Sequence, residues 1–194
     1  DEGILHQLIS VFRVKLGENI ILLDNSGFEF HGIINGIGKK EIAVQINDKK
    51  KGNKLNVEIA LFQSLLKKDN VELIFEKCTE IGVSRFVLVL AEHSIKLNLN
   101  NERLQKIVKE ASEQCGRAIL PEISDILDFK KAVLIAQNSD AINFIFHEEL
   151  GECCDKLSCD FLKNFNSPQG IKKFNLFIGP EGGFSEKEIE LAKN

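Results

Sequence analysis

One stretch near the end of the chain, Phe177-Ile-Gly-Pro-Glu-Gly-Gly-Phe-Ser185, restricts the fold more than any other. The residues before it, Phe174 to Ile178, alternate and fill with bulky apolar side chains, the pattern of a buried strand. After it, Ser185 and Glu188 stand three apart, the spacing of a capping box at the start of a helix. A strand, a glycine-rich turn and a capped helix together let bare backbone approach a ligand. Gly179, Gly182 and Gly183 place no side chain in the way, and Pro180 stiffens the turn. Helix N-termini attract anions. Here, however, Glu181, Glu186 and Glu188 surround the turn with carboxylates, and no lysine follows the glycines as a phosphate-binding loop requires. Such an edge suits a neutral or cationic ligand. On spacing alone, a tight strand-to-helix turn without any ligand fits the same residues.

The 194 residues suffice for one large domain or two small ones, and 43% hydrophobic with 28% charged content is ordinary globular material. No apolar run approaches membrane-spanning length, and no charged-then-apolar leader opens the sequence. The five cysteines (Cys78, Cys115, Cys153, Cys154 and Cys159) are odd in number and lack paired metal spacing. They read as reduced thiols in a cytoplasmic protein, with Cys78 and Cys115 on apolar helix faces. His6, His31, His93 and His147 are scattered without ligand spacing, so no metal is assigned. The lack of an initiator methionine implies that the start is not the natural one. A net charge of −4 does not advertise a nucleic-acid partner. Lys39-Lys40, Lys49-Lys50-Lys51 with Lys54, and Lys67-Lys68 are solvated turns or phosphate contacts, which need only a few well-placed lysines.

Residues 19–46 read as a β meander. Asn19–Asp24, Phe28–Asn35 and Glu41–Ile46 are its strands, and a short helix precedes them with Leu8, Val11 and Phe12 inward. Asn47–Asn53 looks like a linker, which places a domain boundary between residues 1–53 and 54–194. Beyond it, strands alternate with helices. The strands are Leu55–Leu61, Arg85–Ala91, Ile142–His147 and Phe174–Ile178. One helix is capped by Asp69, carries the stripe Val71, Ile74, Phe75, Cys78 and Ile81, and is closed by Gly82. A longer one, Glu102–Cys115, hides Leu104, Ile107, Val108, Ala111 and Cys115. The pattern predicts an α/β domain built on a mostly parallel sheet covered on both faces, with ligands beyond the carboxyl ends of the strands.

On the longer helix, Glu110, Gln114 and Arg117 are spaced four and three apart and share one ridge opposite the apolar stripe. A carboxylate, an amide and a guanidinium along that ridge suit a nucleobase and its phosphate, or form a solvated face with an ion pair. Lys77 and Glu80 on the earlier helix leave the same two readings open.

Phe177–Ala192 resembles the signature of the RsmE family of bacterial small-subunit ribosomal RNA methyltransferases, which belong to the knotted SPOUT class. Two further stretches match in order. Glu76-Lys-Cys-Thr-Glu-Ile-Gly-Val83 is similar to the family's Lys-x-Thr-Glu-Leu-Gly, and Glu110-Ala-Ser-Glu-Gln-Cys-Gly-Arg117 to its Glu-Ala-x-Glu-Gln-x-x-Arg. His6 to Arg13 resembles its N-terminal helix. Gln7 departs from the pattern in replacing a second histidine, and His93 stands where the family more often has arginine. The family's sequence also continues into a segment that threads the knot, and it opens with a further barrel strand, so the resemblance implies a chain lacking both ends.

The fold implied is a small PUA-like β-barrel (residues 1–53) followed by a SPOUT trefoil-knot domain (residues 54–194). The activity implied is S-adenosylmethionine-dependent methylation of N3 of a uridine in 16S ribosomal RNA, with the small subunit or its assembly intermediate as partner, a homodimer through the knot domain and no membrane. Phe177, Ile178, Gly179, Pro180, Glu181, Gly182 and Gly183 are then expected to hold the methyl donor. Arg117 would stabilise the uridinate, Gln114 and Glu113 would orient the base, and Glu80 would take the proton. His6, Arg13, Lys39, Lys40 and Lys77 would grip RNA. A non-catalytic RNA-binding module, another SPOUT methyltransferase acting on a different RNA, and a nucleotide-dependent enzyme holding phosphate on the glycine turn are the alternatives.

Overall fold

The computed structural model describes residues 2–53, 55–95, 99–147 and 172–193. Cys153, Cys154, Cys159 and Lys54 lie outside them. The chain divides into two units, one of residues 1–54 with 115–120, the other of residues 55–114 with 121–194.

The first unit opens with α1 (Glu2–His6), continued by a π-helical turn over Gln7–Val11. Val11 and Phe12, expected inward, are exposed, whereas Leu8 is half-buried. Three antiparallel strands follow in the order of a meander: β1 (Asn19–Leu23), β2 (Phe28–Ile37) and β3 (Ile42–Lys51). The expected linker is largely strand. β3 runs on through Asp48–Lys51 because each of these residues pairs with one of Phe28–His31, past a bulge beside His31. Lysines have low strand propensity, but a partner strand already in register outweighs it. Residues 115–120 close back on this sheet. Ala118 O accepts from Gly27 N at 3.2 Å, and Leu120 N donates to Asn25 Oδ1 at 2.7 Å.

The second unit is a parallel sheet in the order β6-β5-β4-β9-β8, with β7 beside β5. Its strands are β4 (Val57–Ser64), β5 (Arg85–Leu90), β6 (Glu122–Ile123), β7 (Leu127–Asp128), β8 (Ile142–Phe146) and β9 (Lys172–Ile178). Alternate side chains of β5 divide between two cores: Phe86 and Leu88 on one face, Val87 and Val89 on the other. The first face is covered by α2 (Lys68–Ile81) and α3 (Asn101–Cys115), with Phe75 stacked on Phe86 at 4.1 Å. The second is covered by α4 (Phe129–Gln137) and α5 (Glu186–Lys193). A sheet buried on both sides explains why its strands read as near-continuous apolar runs.

Details at the helix ends differ from expectation. The N-cap of α2 is Lys67, without a side-chain cap, and Asp69 sits inside the first turn, where its charge complements the helix dipole. Ile81, at the end of the α2 stripe, is 75% exposed, and Cys115 is exposed at the end of α3. Terminal turns project past the sheet, so periodicity alone overstates burial there. Gly82 does close α2, at φ 108, with its N–H bonded back to Cys78 and Thr79 carbonyls. Replacing Gly82 by Ala forces a Cβ into the left-handed region and against Leu55 Cδ1. Urea denaturation should show a loss of about 1–2 kcal/mol with an unchanged m value.

Candidate active site

The glycine turn leaves the carboxyl end of β9 and is held at both sides by aromatic packing. Phe177 stacks on Phe62 at 4.3 Å, Phe184 lies 5.2 Å from Phe129, and both are only 4% exposed. The Phe177 side chain is therefore core, and only its backbone is available to a ligand. Between the anchors, Gly183 N donates to Pro180 O at 2.9 Å and closes a β-turn. A Cβ at Gly179 would press on the Phe184 ring and on the Gly183 backbone. Gly183 has φ +69, and a Cβ there would meet nothing within 4 Å. It faces open space.

Glu188 answers Ser185 as the capping-box spacing predicts, with Oε2 accepting from Ser185 N at 2.9 Å and from Ser185 Oγ at 3.3 Å. Its other oxygen accepts from Glu92 N at 2.9 Å. His93 Nδ1 lies 3.1 Å from Gly182 O and 3.2 Å from Gly183 O, so Nδ1 carries the proton. The loop after β5 is thus fastened by its imidazole to the glycine turn and by its backbone to the first turn of α5.

These ties border a cleft of about 450 Å³ at the carboxyl ends of the strands. It is lined by Glu92 and His93 after β5, by His147 after β8, and by Gly182–Lys187 after β9. Its size falls within the ~300–1,000 Å³ of small-molecule sites. Exposed glycine backbone with carboxylates of Glu92 and Glu186 at the walls fits a small cationic ligand. Glu181 is turned elsewhere: its Oε1 lies 3.5 Å from Asn70 Nδ2 at the start of α2.

The expected catalytic residues are dispersed along the chain. Glu113 and Gln114 are exposed on the last turn of α3, with Lys109 Nζ 3.9 Å from Glu113 and Lys106 Nζ 3.8 Å from Glu110. Arg117 does not extend their ridge. α3 ends at Cys115 and Gly116 takes φ +71, so helical spacing no longer applies beyond it, and Arg117 is counted with the first unit. Burial pushes the Arg117 guanidinium pKa down and the neighbouring Cys115 acts in the opposite sense; an arginine stays charged nonetheless. On α2, Lys77 Nζ donates to Glu76 at 2.7 Å and Glu80 at 2.9 Å, and these bonds raise the lysine's pKa, Glu76 foremost. His6 ends α1, exposed. Arg13 is exposed with φ 51, and Lys39 and Lys40 are exposed in the turn between β2 and β3. Among the described residues, no group of three or more His, Cys, Asp or Glu is placed to hold a metal ion.

The family model described as RNA methyltransferase domain matches residues 53–194, and that described as RNA methyltransferase PUA domain matches residues 4–47. Ribosomal RNA small subunit methyltransferase E 2 of Borreliella burgdorferi is 31% identical over 100% of this chain and 77% of its own length. The chain belongs to the ribosomal RNA small subunit methyltransferase E family. Its Bacillus subtilis relative, ribosomal RNA small subunit methyltransferase E, is 28% identical over 96% of this chain and 74% of its own. The solved structure of the Neisseria gonorrhoeae member, bound to S-adenosyl methionine, superposes with a TM-score of 0.79 at 25% identity, covering 98% of this chain and 76% of that one. Within this family the first unit is the PUA-like domain and the second the α/β methyltransferase domain.

Spacing arguments missed Glu92, His93, His147 and Lys187 as cleft residues. The available signal was position: Glu92 and His93 directly follow the apolar run of β5, where a parallel sheet places its loops over the site. Replacing Glu188 by Ala leaves Ser185 N, Ser185 Oγ and Glu92 N without their shared acceptor. Urea denaturation should register a loss of about 1–3 kcal/mol, whereas Lys187→Ala on the same turn should change stability by less than about 0.5 kcal/mol.

Proposed function

We propose that this protein transfers a methyl group from S-adenosylmethionine to N3 of a uridine in 16S ribosomal RNA, with the donor seated in the cleft beside Gly182 and Gly183. The observation that carries the reading is this cleft, walled by bare glycine backbone and by two carboxylates, Glu92 and Glu186, against one lysine, Lys187, in a chain of the small-subunit methyltransferase E family. The donor supplies an electrophilic methyl on a cationic sulfonium. Backbone of Phe177–Gly183 shapes the pocket, and Glu92 and Glu186 favour positive charge in it.

N3 of uridine carries a proton that must leave as the methyl arrives. We assign its uptake to Glu80, which first has to release Lys77, and stabilisation of the uridinate to Arg117. Glu113 and Gln114 orient the base, since holding acceptor and donor in line supplies much of the rate. His6, Arg13, Lys39, Lys40 and Lys77 contact phosphates and fix register without reading sequence. The same reading includes the knotted SPOUT topology and a dimer through the second unit. Its support is a parallel sheet in which the last strand, β9, inserts between β4 and β8. It also places the protein in the cytoplasm, where ribosomal subunits are assembled; among the described residues no helix is long and apolar enough to cross a membrane.

The decisive experiment is transfer of labelled methyl to small-subunit RNA, followed by reverse transcription. A methyl on N3 blocks the pairing edge and stops the polymerase at one uridine. Incorporation without a stop, or into ribose, overturns the N3 assignment. Gly183→Asn tolerates φ +69 but projects a side chain into the cleft. It should unfold within about 1 kcal/mol of the parent and bind S-adenosylmethionine at least ~10-fold more weakly by calorimetry, a loss of ~1.4 kcal/mol. An unchanged titration removes the cleft as donor site. Arg117→Ala should keep donor affinity and lower kcat by about 100-fold, the scale of a lost anion-stabilising donor. Equal losses of binding and turnover would make it a structural residue instead.

A further inference from the structure

The β2–β3 ribbon of the first unit sorts its side chains by face. Phe28 pairs with Lys51 and Phe30 with Lys49, so these four share one face. Leu22, opposite Phe30 on β1, continues it. On the other face, side chains pair along each strand: His31 Nε2 lies 3.2 Å from Glu29 Oε2, and Lys50 Nζ 3.3 Å from Asp48 Oδ2. No carboxylate among the described residues forms an ion pair with Lys49 or Lys51. Instead, Lys49 Nζ stands 4.1 Å from the centroid of the Phe28 ring and 5.2 Å from that of Phe30. Asp24 is close enough to feel Lys49, but its carboxylate is held by Ser26, accepting from Ser26 N at 3.0 Å. Phe28 is 36% exposed. Two aromatic rings and two lysines without an ion-pair partner among the described residues therefore share one face of the strand pair, whereas Lys50 on the opposite face is engaged by Asp48.

We propose that this face is a platform for one unpaired nucleotide of single-stranded RNA, its base stacked on Phe28 and its flanking phosphates held by Lys49 and Lys51. Phosphate binding alone needs lysines and no aromatic rings, and a duplex keeps its bases stacked inside and unavailable. Rings and cations on one face match the two chemistries of an unpaired nucleotide, a π surface and an anion. Lys49 acts as a placeholder: its ammonium covers the Phe28 ring by cation–π attraction and swings to the phosphate as the base arrives. The inference rests on the RNA substrate of the proposed function, and adds to it a site that grips loops or ends of RNA rather than helices.

The chain has no Trp and no Tyr, so Phe28→Trp introduces a single fluorophore at the platform. Titrated with a short single-stranded uridine oligonucleotide, it should be quenched saturably. An abasic oligonucleotide of equal charge, the same strand in duplex, and anionic phospholipid vesicles should each leave it unquenched. Adding Lys49→Gln and Lys51→Gln should reduce the slope of log affinity against log salt by about 1.4, at ~0.7 per phosphate contact on a single strand. By filter binding, Phe28→Leu, which keeps apolar bulk, should bind the oligonucleotide roughly 5- to 100-fold more weakly, the range of one lost base–aromatic stack. Equal quenching by the abasic strand or duplex, quenching by vesicles alone, or full affinity in Phe28→Leu overturns the platform. Methyl incorporation by the unsubstituted protein reports separately on the catalytic reading, so either can fail while the other stands.

Discussion

The aromatic packing beneath the glycine turn is the contact on which the rest of the site depends. Phe177 and Phe184 enter the same core from opposite ends of the turn, against Phe62 and Phe129. Rings of this size bury enough apolar surface to dominate a local core. Pinning both ends leaves Gly179–Gly183 little freedom, although the turn itself has few side chains with which to hold a shape. The backbone surface offered to a ligand is therefore set before the ligand arrives, and less ordering entropy is lost on binding. His93 and Glu188 extend the constraint sideways, so that the loop after β5 and the turn after β9 form one wall.

That wall follows from sheet topology. β5, β4, β9 and β8 run parallel, and the register pairs Ser64 with Val89, Gln63 with Ile178 and Phe146 with Ile178. Their carboxyl ends are level, and residues far apart in sequence, such as Glu92 and Glu186, meet over one edge. Two helices on each face keep the sheet dry. The remaining access to backbone polar groups is at that end, which is where chemistry can be placed without opening the core.

How much of this was legible depends on whether a feature is local. Strand, turn and helix around Phe177–Ser185 could be read because each leaves its mark within a few residues: the apolar run, the glycines, the Ser185–Glu188 spacing. The two-faced sheet was legible from the alternation of strands and helices. What failed was non-local or terminal. The side-chain role of Phe177 depends on Phe62, more than a hundred residues away, and no spacing distinguishes a core ring from one in a cofactor pocket. Arg117 looked like a third tooth on a helical ridge, yet the left-handed Gly116 breaks the helix just before it. The lysines of β3 resembled a linker because strand propensity is a weak prior beside an aligned partner. Val11, Phe12 and Ile81 kept the right period but stay exposed among the described residues.

A chain of net charge −4 that acts on a polyanion needs its cations grouped rather than numerous. At physiological salt, charges more than about 8 Å apart are largely screened, so a phosphate responds to the nearest one or two side chains and not to the total. On one side of the β2–β3 ribbon Lys50 is paired with Asp48 two residues before it, and the lysines of the opposite side have no ion-pair partner among the described residues. The acidic residues of the second unit include Glu92 and Glu186 at the cleft, where negative charge repels phosphate and favours a sulfonium. On the proposed reading, local grouping of charge lets one small chain hold two ligands of opposite charge. Strengthening either attraction by a uniform change of net charge would weaken the other, which explains why the balance is kept locally, by strand register in one unit and by strand ends in the other.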